Sequence, residues 1–294
     1  MRTRWRSEIR QERRNSVVAQ LSVTVFDVNH GNSIHLRTPN DKDVLVDAGR
    51  SADFSPGAFL KGKGRNLDAL YVSHGHADHI EDVADVQGLV PKMLVWPRVS
   101  MKKLYEESRP QERHLVETYY QFQAKYTSPL SPQDDPRDPA WGGGATFAPF
   151  GNVIDESRPL NDLSLVVLAT WASVKLLIPG DLEEAGWKTL LLKPEFSKAV
   201  RGTELMVASH HGLESGFCSE LFDLFHPNLM IVSAGRFRDT SATGKYDAVT
   251  TGMWVRAPGD PVKRKCKVVS TRNNGCIAVG ISGDSQVDVV VSRW

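Results

Sequence analysis

The chain has 294 residues, 36 Lys and Arg against 35 Asp and Glu, a formal net charge of +1 and 40% hydrophobic residues. Such a composition belongs to an ordinary globular protein long enough to bury a substantial core, and the near-zero charge excludes a global field for nucleic acid or membrane, leaving only local basic surface. Cys218, Cys266 and Cys276 are odd in number and sit at no metal-ligand spacing, so they suggest neither a disulfide framework nor a zinc ribbon and read as reduced thiols.

Residues 1–17 read as a basic tail. Six arginines and two glutamates fall in "MRTRWRSEIRQERRN", either a solvated segment or an arm for nucleic acid or a protein partner that the sequence does not name. The stretch lacks the apolar core of a signal peptide, and no apolar run approaches the roughly 18 residues that cross a bilayer. A cytoplasmic protein that does not enter membranes is therefore expected.

From residue 18 a single domain is expected through 294, built of short apolar runs between polar loops. The candidate strands are "QLSVTVFDV", "SIHLRTP", "DVLVDAG", "LDALYVSH", "KMLVWP", "SLVVLAT", "VKLLIPGD", "ELMVASHH", "LMIVSAG", "KVVST", "CIAVGIS" and "VDVVVSRW". Helical patterns are expected over 79–87, 100–126, 182–192 and 220–225. This mixture predicts an α/β class with sheets covered by helices. Residues 128–159 are rich in Pro and Gly and read as a long loop, a rim of the functional site rather than a domain linker.

The chemistry concentrates in "SHGHADHI", where His74, His76, Asp78 and His79 fall within six residues. Side chains two apart on an extended segment point the same way, so His74 and His76 converge on one ion, while Asp78 and His79 begin a helix and turn towards a second position. Imidazole and carboxylate suit Zn²⁺, Mn²⁺ or Fe²⁺, and the lack of thiolates argues against a purely structural zinc. Other apolar strands also end in ligand-type residues beside glycine: Asp47 after "VLV", Asp181 after "LLIPG", and His210 with His211 after "LMVAS".

These segments resemble the metallo-β-lactamase superfamily, and within it the metallo-β-lactamase-like domain of the DNA-uptake protein ComEC and its stand-alone relatives. "VFDVNHGNSIHL" with "VLVDAG" is similar to that group's opening, "SHGHADHI" to the superfamily's H-x-H-x-D-H, "NDLSLVVLA" to its N-x-x-S-L-V-L strand, "LLIPGD" to its G-D strand and "ASHHGLESG" to its H-H-G-S segment. The resemblance spans roughly 21–294. It implies a four-layer αββα sandwich of two mixed sheets flanked by helices, with one or two divalent ions, Zn or Mn, at one edge. It further implies that Asp181 bridges the ions, that His74 and His76 hold one, that Asp78, His79 and one of His210 and His211 hold the other, and that Asp47 steadies a ligand histidine. Because neighbours on a strand end point to opposite sides, His210 is expected on the ion and His211 towards the substrate.

Two departures from the group follow. Only His114 lies between H-x-H-x-D-H and the G-D strand, so Asn161 is expected as a weak ligand in place of a histidine. A histidine-proline pair after "LMIVSAG" is replaced by "GKYDAVTTG", leaving Lys245 or Tyr246 to stand in. The expected reaction is hydrolysis by a metal-activated hydroxide, with Asp78, Asp181 and His211 catalytic. A phosphodiester or nucleic-acid substrate is favoured by the resemblance and by basic residues such as Lys263, Arg264 and Lys265. A small-molecule hydrolase for a lactone, thioester, lactam or phosphoester is the alternative, and a degenerate metal-binding scaffold is the third reading.

Overall fold

A computed structural model describes residues 19–236 and 239–294; the expected basic tail lies outside them. Fifteen strands are present among the described residues. They are β1 (Gln20–Val25), β2 (Ile34–Arg37), β3 (Asp43–Val46), β4 (Ala69–Tyr71), β5 (Leu94–Val95), β6 (Thr146–Phe150), β7 (Val166–Trp171), β8 (Val174–Ile178), β9 (Leu205–Val207), β10 (Leu229–Val232), β11 (Met253–Arg256), β12 (Arg264–Cys266), β13 (Val268–Ser270), β14 (Ile277–Ser282) and β15 (Val287–Val291).

One sheet runs in the order β12-β11-β15-β14-β1-β2-β3-β4-β5, and the other β13-β10-β9-β8-β7-β6. Both are mixed: β3, β4 and β5 are parallel neighbours, as are β8, β9, β10 and β13, while β1, β2 and β14 pair antiparallel. The pattern of the strands explains the layering. In β3 every residue is buried, Val44 and Val46 in the core between the sheets and Leu45 against outer helices. In β8, Leu176 and Ile178 join the same inner core, whereas Leu177 packs outward on Trp187 and Phe196. Strands covered on both faces lose the apolar-polar alternation, as these do. Helices lie outside each sheet, so the order of layers is helix, sheet, sheet, helix.

Several local expectations are corrected. The 100–126 segment is two helices, Met101–Glu106 and Arg113–Gln123, separated at Pro110, because proline lacks the N–H an uninterrupted helix needs and disfavours helical backbone before it. The 79–87 segment divides into Ala77–Ile80 and Val83–Gln87. Within 128–159, Thr146–Phe150 pairs with β7 as an edge strand; Pro149 is tolerated there because an edge need not donate on both sides. Helices Pro56–Gly62, Pro194–Ala199 and Thr243–Val249 arise where none was expected. No helix among the described residues is long and apolar enough to cross a membrane.

Candidate metal centre

The ligand-type residues converge because parallel strands deliver their C-terminal ends to one edge of the sandwich. Asp47 follows β3, Ser73 and His74 follow β4, Asp181 follows β8, and His210 and His211 follow β9. Ligands of open α/β sheets gather at such carboxyl ends. Gly180 permits the closest approach. Its φ is +60°, and a Cβ placed there would stand 2.4 Å from Ser73 Cβ, so only glycine brings Asp181 up against the β4 end without displacing it.

One ligand atom from each of Asp78, His79, Asp181 and His211 lies within 4.8 Å of the others. His211 Nε2 is 3.1 Å from Asp78 Oδ2 and 3.4 Å from Asp181 Oδ2, and His79 Nε2 is 3.2 Å from Asp181 Oδ1. The rings are held from behind. His79 Nδ1 lies 2.8 Å from Asp47 Oδ2, and His211 Nδ1 lies 2.8 Å from the Ser233 carbonyl. Asp47, fully buried, also accepts from Ser73 N at 2.7 Å, Ser73 Oγ at 2.9 Å and Asn32 Nδ2 at 3.1 Å.

Electrostatics follow from burying two carboxylates among imidazoles. Burial pushes the Asp181 carboxyl up, but the charges of His211 and His79 outweigh it and hold it well below the usual range. Burial works against charge on His211, yet Asp181 and Asp78 lift it to about 10. His79 is likewise held above its ordinary value by Asp181, Asp47 and Asp78 against burial. His74 goes the other way, driven well below by burial and by the neighbouring His79 and His76. A divalent cation among these groups would replace the protons on His79 and His211, so its binding is linked to proton release. The donor set fits such an ion. His79 Nε2 is buried without a hydrogen-bond partner, out of alignment with Asp181 despite their separation, and a metal supplies the partner that such an atom requires.

The sequence matches the Metallo-beta-lactamase superfamily over residues 26–212. The chain belongs to that superfamily. It is 40% identical over 68 residues to a UPF0173 metal-dependent hydrolase of Chloroflexus aurantiacus, covering 22% of this chain and 27% of that protein. It is 27% identical over 97 residues to a hydroxyacylglutathione hydrolase of Tolumonas auensis, covering 33% and 37%. The match to the Chloroflexus protein thus spans about a quarter of that relative's length. Among solved structures, a diphosphatase from the PhnP family aligns with TM-score 0.37 at 13% identity over 71% of this chain and 85% of that one. A long-form RNase Z from yeast aligns with TM-score 0.41 at 12% identity over 77% and 39%.

In this metallo-beta-lactamase domain the remaining expected residues divide sharply. His211, expected towards substrate, is the member of the compact group, whereas His210 Nε2 lies 3.7 Å from Asp181 Oδ2 and its Nδ1 3.1 Å from Glu183 Oε1. Both residues have left-handed backbone, φ 48° and 54°, so strand alternation does not govern where their rings point. His74 is buried with Nε2 3.0 Å from His76 Nδ1, and half-buried His76 turns Nε2 towards Glu107 Oε2 at 3.6 Å. Asn161 donates to Glu183 Oε1 at 3.1 Å and keeps a buried Oδ1 without a partner.

The expected substrate residues are placed elsewhere. Tyr246 is fully buried against Phe217 and Phe222, which removes it from any substrate, and Lys245 pairs with Glu214 over the Phe217 ring. Lys263, Arg264 and Lys265 lie at or beside β12, the sheet edge opposite β5, with Arg264 stacked on Trp294. Charge on an edge strand blocks unwanted strand pairing, a role that needs no substrate. Sequence reasoning passed over Ser73, Glu107, Glu183 and His30. His30 Nε2 is 3.5 Å from Asp78 Oδ2, with its ring 4.5 Å from that of His211. Its signal was present in "VNHGN", a histidine in the glycine turn that faces the motif helix.

Proposed function

We propose that this chain is a divalent-metal-dependent hydrolase of phosphoesters, a nucleic-acid phosphodiester being the favoured substrate and Zn²⁺ or Mn²⁺ the ion. The carrying observation is the compact group of Asp78, His79, Asp181 and His211 around a buried, partnerless His79 Nε2. A divalent cation bound there supplies Lewis acidity, lowering the pKa of water towards neutrality and polarising an ester oxygen. The chain's own residues set the geometry. Asp47 and the Ser233 carbonyl fix the tautomers of His79 and His211. Asp78, whose side chain is about a quarter exposed, would help hold the ion with His79, Asp181 and His211, and His30 Nε2 lies 3.5 Å from its Oδ2.

Two features favour phosphoesters. One is the resemblance of "VFDVNHGNSIHL", "LLIPGD" and "ASHHGLESG" to the ComEC-like group. The other is a pair of cavities, about 570 and 520 Å³, that share Trp96, Arg98 and Tyr126 and add Lys125 and Tyr120; Lys92 there is paired with Asp68, and none of Asp78, His79, Asp181 and His211 lines either cavity. The Trp96 loop leaves β5 at the end where His74 leaves the parallel β4. Cations beside aromatic faces suit phosphates and bases. Similarity to the hydroxyacylglutathione hydrolase favours the second reading, a thioester or other small-molecule substrate.

The deciding experiment is a Zn²⁺- and Mn²⁺-supplemented panel of single- and double-stranded DNA, RNA, cyclic dinucleotides and chromogenic ester and thioester substrates. Turnover of phosphodiesters is expected, reduced on the order of 10²-fold or more by Asp78→Ala or Asp181→Ala, the loss that follows removal of a preorganised electrostatic group. Full activity in either variant, or turnover of thioester alone, overturns the proposal. Arg98→Ala with Lys125→Ala is expected to flatten the salt dependence of DNA binding, each phosphate contact contributing about 0.7 to 0.9 to the slope. Alanine at Lys263, Arg264 and Lys265 together is expected to leave that slope unchanged.

A further inference from the structure

The smaller of the two cavities beside β5, about 520 Å³, has three aromatic side chains in its wall, Trp96, Tyr120 and Tyr126, one cation, Arg98, and no carboxylate among the described residues. Arg98 lies 5.3 Å from the Trp96 ring centre and has no carboxylate partner among the described residues. A guanidinium held on an indole face rather than in an ion pair keeps its donors for an anion. Tyr126 is fixed by its hydroxyl, which donates to the Pro91 carbonyl at 2.7 Å, and Tyr120 is 38% exposed. The larger cavity suits an anion less well, because Lys92 there is spent on Asp68 at 2.9 Å and Asp134 adds a second acid.

Both walls of this cavity adjoin the metal centre. Val72 N donates to the Val95 carbonyl at 2.9 Å, so the chain enters Trp96 one strand spacing, about 5 Å, from Ser73. Ser73 Oγ in turn lies 3.1 Å from Nδ1 of both His74 and His79. The other wall is the helix Arg113–Gln123. Its Tyr119 packs on the turn of the histidine motif, where a Cβ on Gly75 would stand 3.5 Å from the ring. Tyr120 and Gln123, three residues apart and therefore neighbours on one helical face, line the cavity. One helix thus touches the motif with one residue and the cavity with the next.

We infer that the cavity of Trp96, Arg98, Tyr120 and Tyr126 is a second contact for single-stranded nucleic acid, holding a base and its phosphate a few nucleotides from the bond at the metal centre. The inference rests on the phosphodiester reading above and adds to it where the flanking strand lies. Aromatic side chains stack on bases of any sequence, and the unpaired guanidinium meets the phosphate. A duplex keeps its base faces stacked inside, so a cavity walled by rings discriminates in favour of the single strand. A strand that occupies the cavity and the metal centre together is held at two points, and one short enough to reach only the centre is held at one.

The test is fluorescence anisotropy of the zinc-loaded full chain with a labelled, cleavage-resistant phosphorothioate oligonucleotide of about 12 nucleotides, long enough to cover an aromatic platform. Folding is checked by circular dichroism and zinc per chain by mass spectrometry. Tyr120→Ala is expected to weaken single-strand binding about 5- to 100-fold, the loss of one stacked base, and Tyr120→Phe to bind as the native protein does. Arg98→Ala is expected to lower the salt slope by about 0.7, one phosphate contact on a single strand. Zinc content is expected to be the same in all three variants. Native affinity in Tyr120→Ala, an unmoved slope in Arg98→Ala, a loss in Tyr120→Phe as large as in Tyr120→Ala, or tighter native binding to the duplex of the same sequence overturns the inference. Loss of zinc together with loss of binding does so as well, since the cavity would then only support the centre. Single-strand binding that depends on Arg98 and Tyr120 without phosphodiester cleavage would overturn the functional reading alone, and phosphodiester cleavage by a protein whose variants bind unchanged would overturn this inference alone.

Discussion

Asp47 accepts hydrogen bonds from Ser73 N, Ser73 Oγ, Asn32 Nδ2 and His79 Nδ1 while wholly out of contact with solvent. Its contribution is to fix the His79 ring, so Asp47→Asn is expected to lower zinc affinity at the group of Asp78, His79, Asp181 and His211 about 10- to 100-fold, measured by equilibrium dialysis, without changing the ligand set. Tyr246 illustrates the opposite case. Its hydroxyl donates a long hydrogen bond to the Gly216 carbonyl at 3.4 Å, so Tyr246→Phe is expected to leave kcat/KM unchanged and to cost about 1 kcal/mol in urea unfolding. A tenfold fall in activity would return Tyr246 to the substrate. From sequence, Asp47 was expected to steady a ligand histidine and Tyr246 to stand in for a missing one; packing sets the carboxylate against His79 and the phenol in the core.

At the scale of elements, strand ends carry the site, and glycine sets how closely they meet. Gly180→Ala adds a methyl that meets Ser73 Cβ at 2.4 Å and Ser73 Oγ at 2.6 Å on a backbone with φ +60°. Overpacking and left-handed strain together are expected to destabilise by about 1–3 kcal/mol or more in urea titration and to weaken zinc binding, because Asp181 must move with residue 180. The strands that hold ligands were legible because each is a strong apolar run ending in Asp, Ser or His. β6, β11 and β12 were not, since "TFAPF", "MWVR" and "RKC" carry no alternation and become strands only by pairing with a neighbour. Helix Pro56–Gly62 did carry a signature, Ser55 capping Ala58 N at 2.9 Å with proline in the first turn, but it is too short for periodicity to reveal.

Across the whole molecule, the outer helices Pro56–Gly62 and Val83–Gln87 are tied together partly through Asp82, which precedes the second. Its buried carboxylate accepts from Gly57 N at 2.6 Å and Ser55 Oγ at 2.9 Å, with Arg50 Nη1 at 3.5 Å. Burial pushes this group up to about 6, against those hydrogen bonds and Arg50. A carboxyl raised on folding contributes stability that is complete below its unfolded value near 4 and is lost as pH rises through about 6. Relative to Asp82→Asn, the native protein is therefore expected to lose melting temperature between pH 4.5 and pH 7.5; a difference that is flat or of opposite sign across that window refutes the assignment.

The sequence by itself determined the α/β class, the positions of the main strands and the set of ligand-type residues, because hydrophobic periodicity and the H-x-H-x-D-H spacing are local properties of the chain. Tertiary structure decided how that set divides. His211 joins Asp78, His79 and Asp181, and His210 turns to Glu183, because two consecutive left-handed residues at the β9 end break the alternation that a strand would impose. It also placed Lys263, Arg264 and Lys265 at the edge opposite β5 and Tyr246 in the core. Residues distant in sequence acquire a chemical role only when two sheets bring their strand ends to one edge, and the order of strands in those sheets is a property of the whole fold.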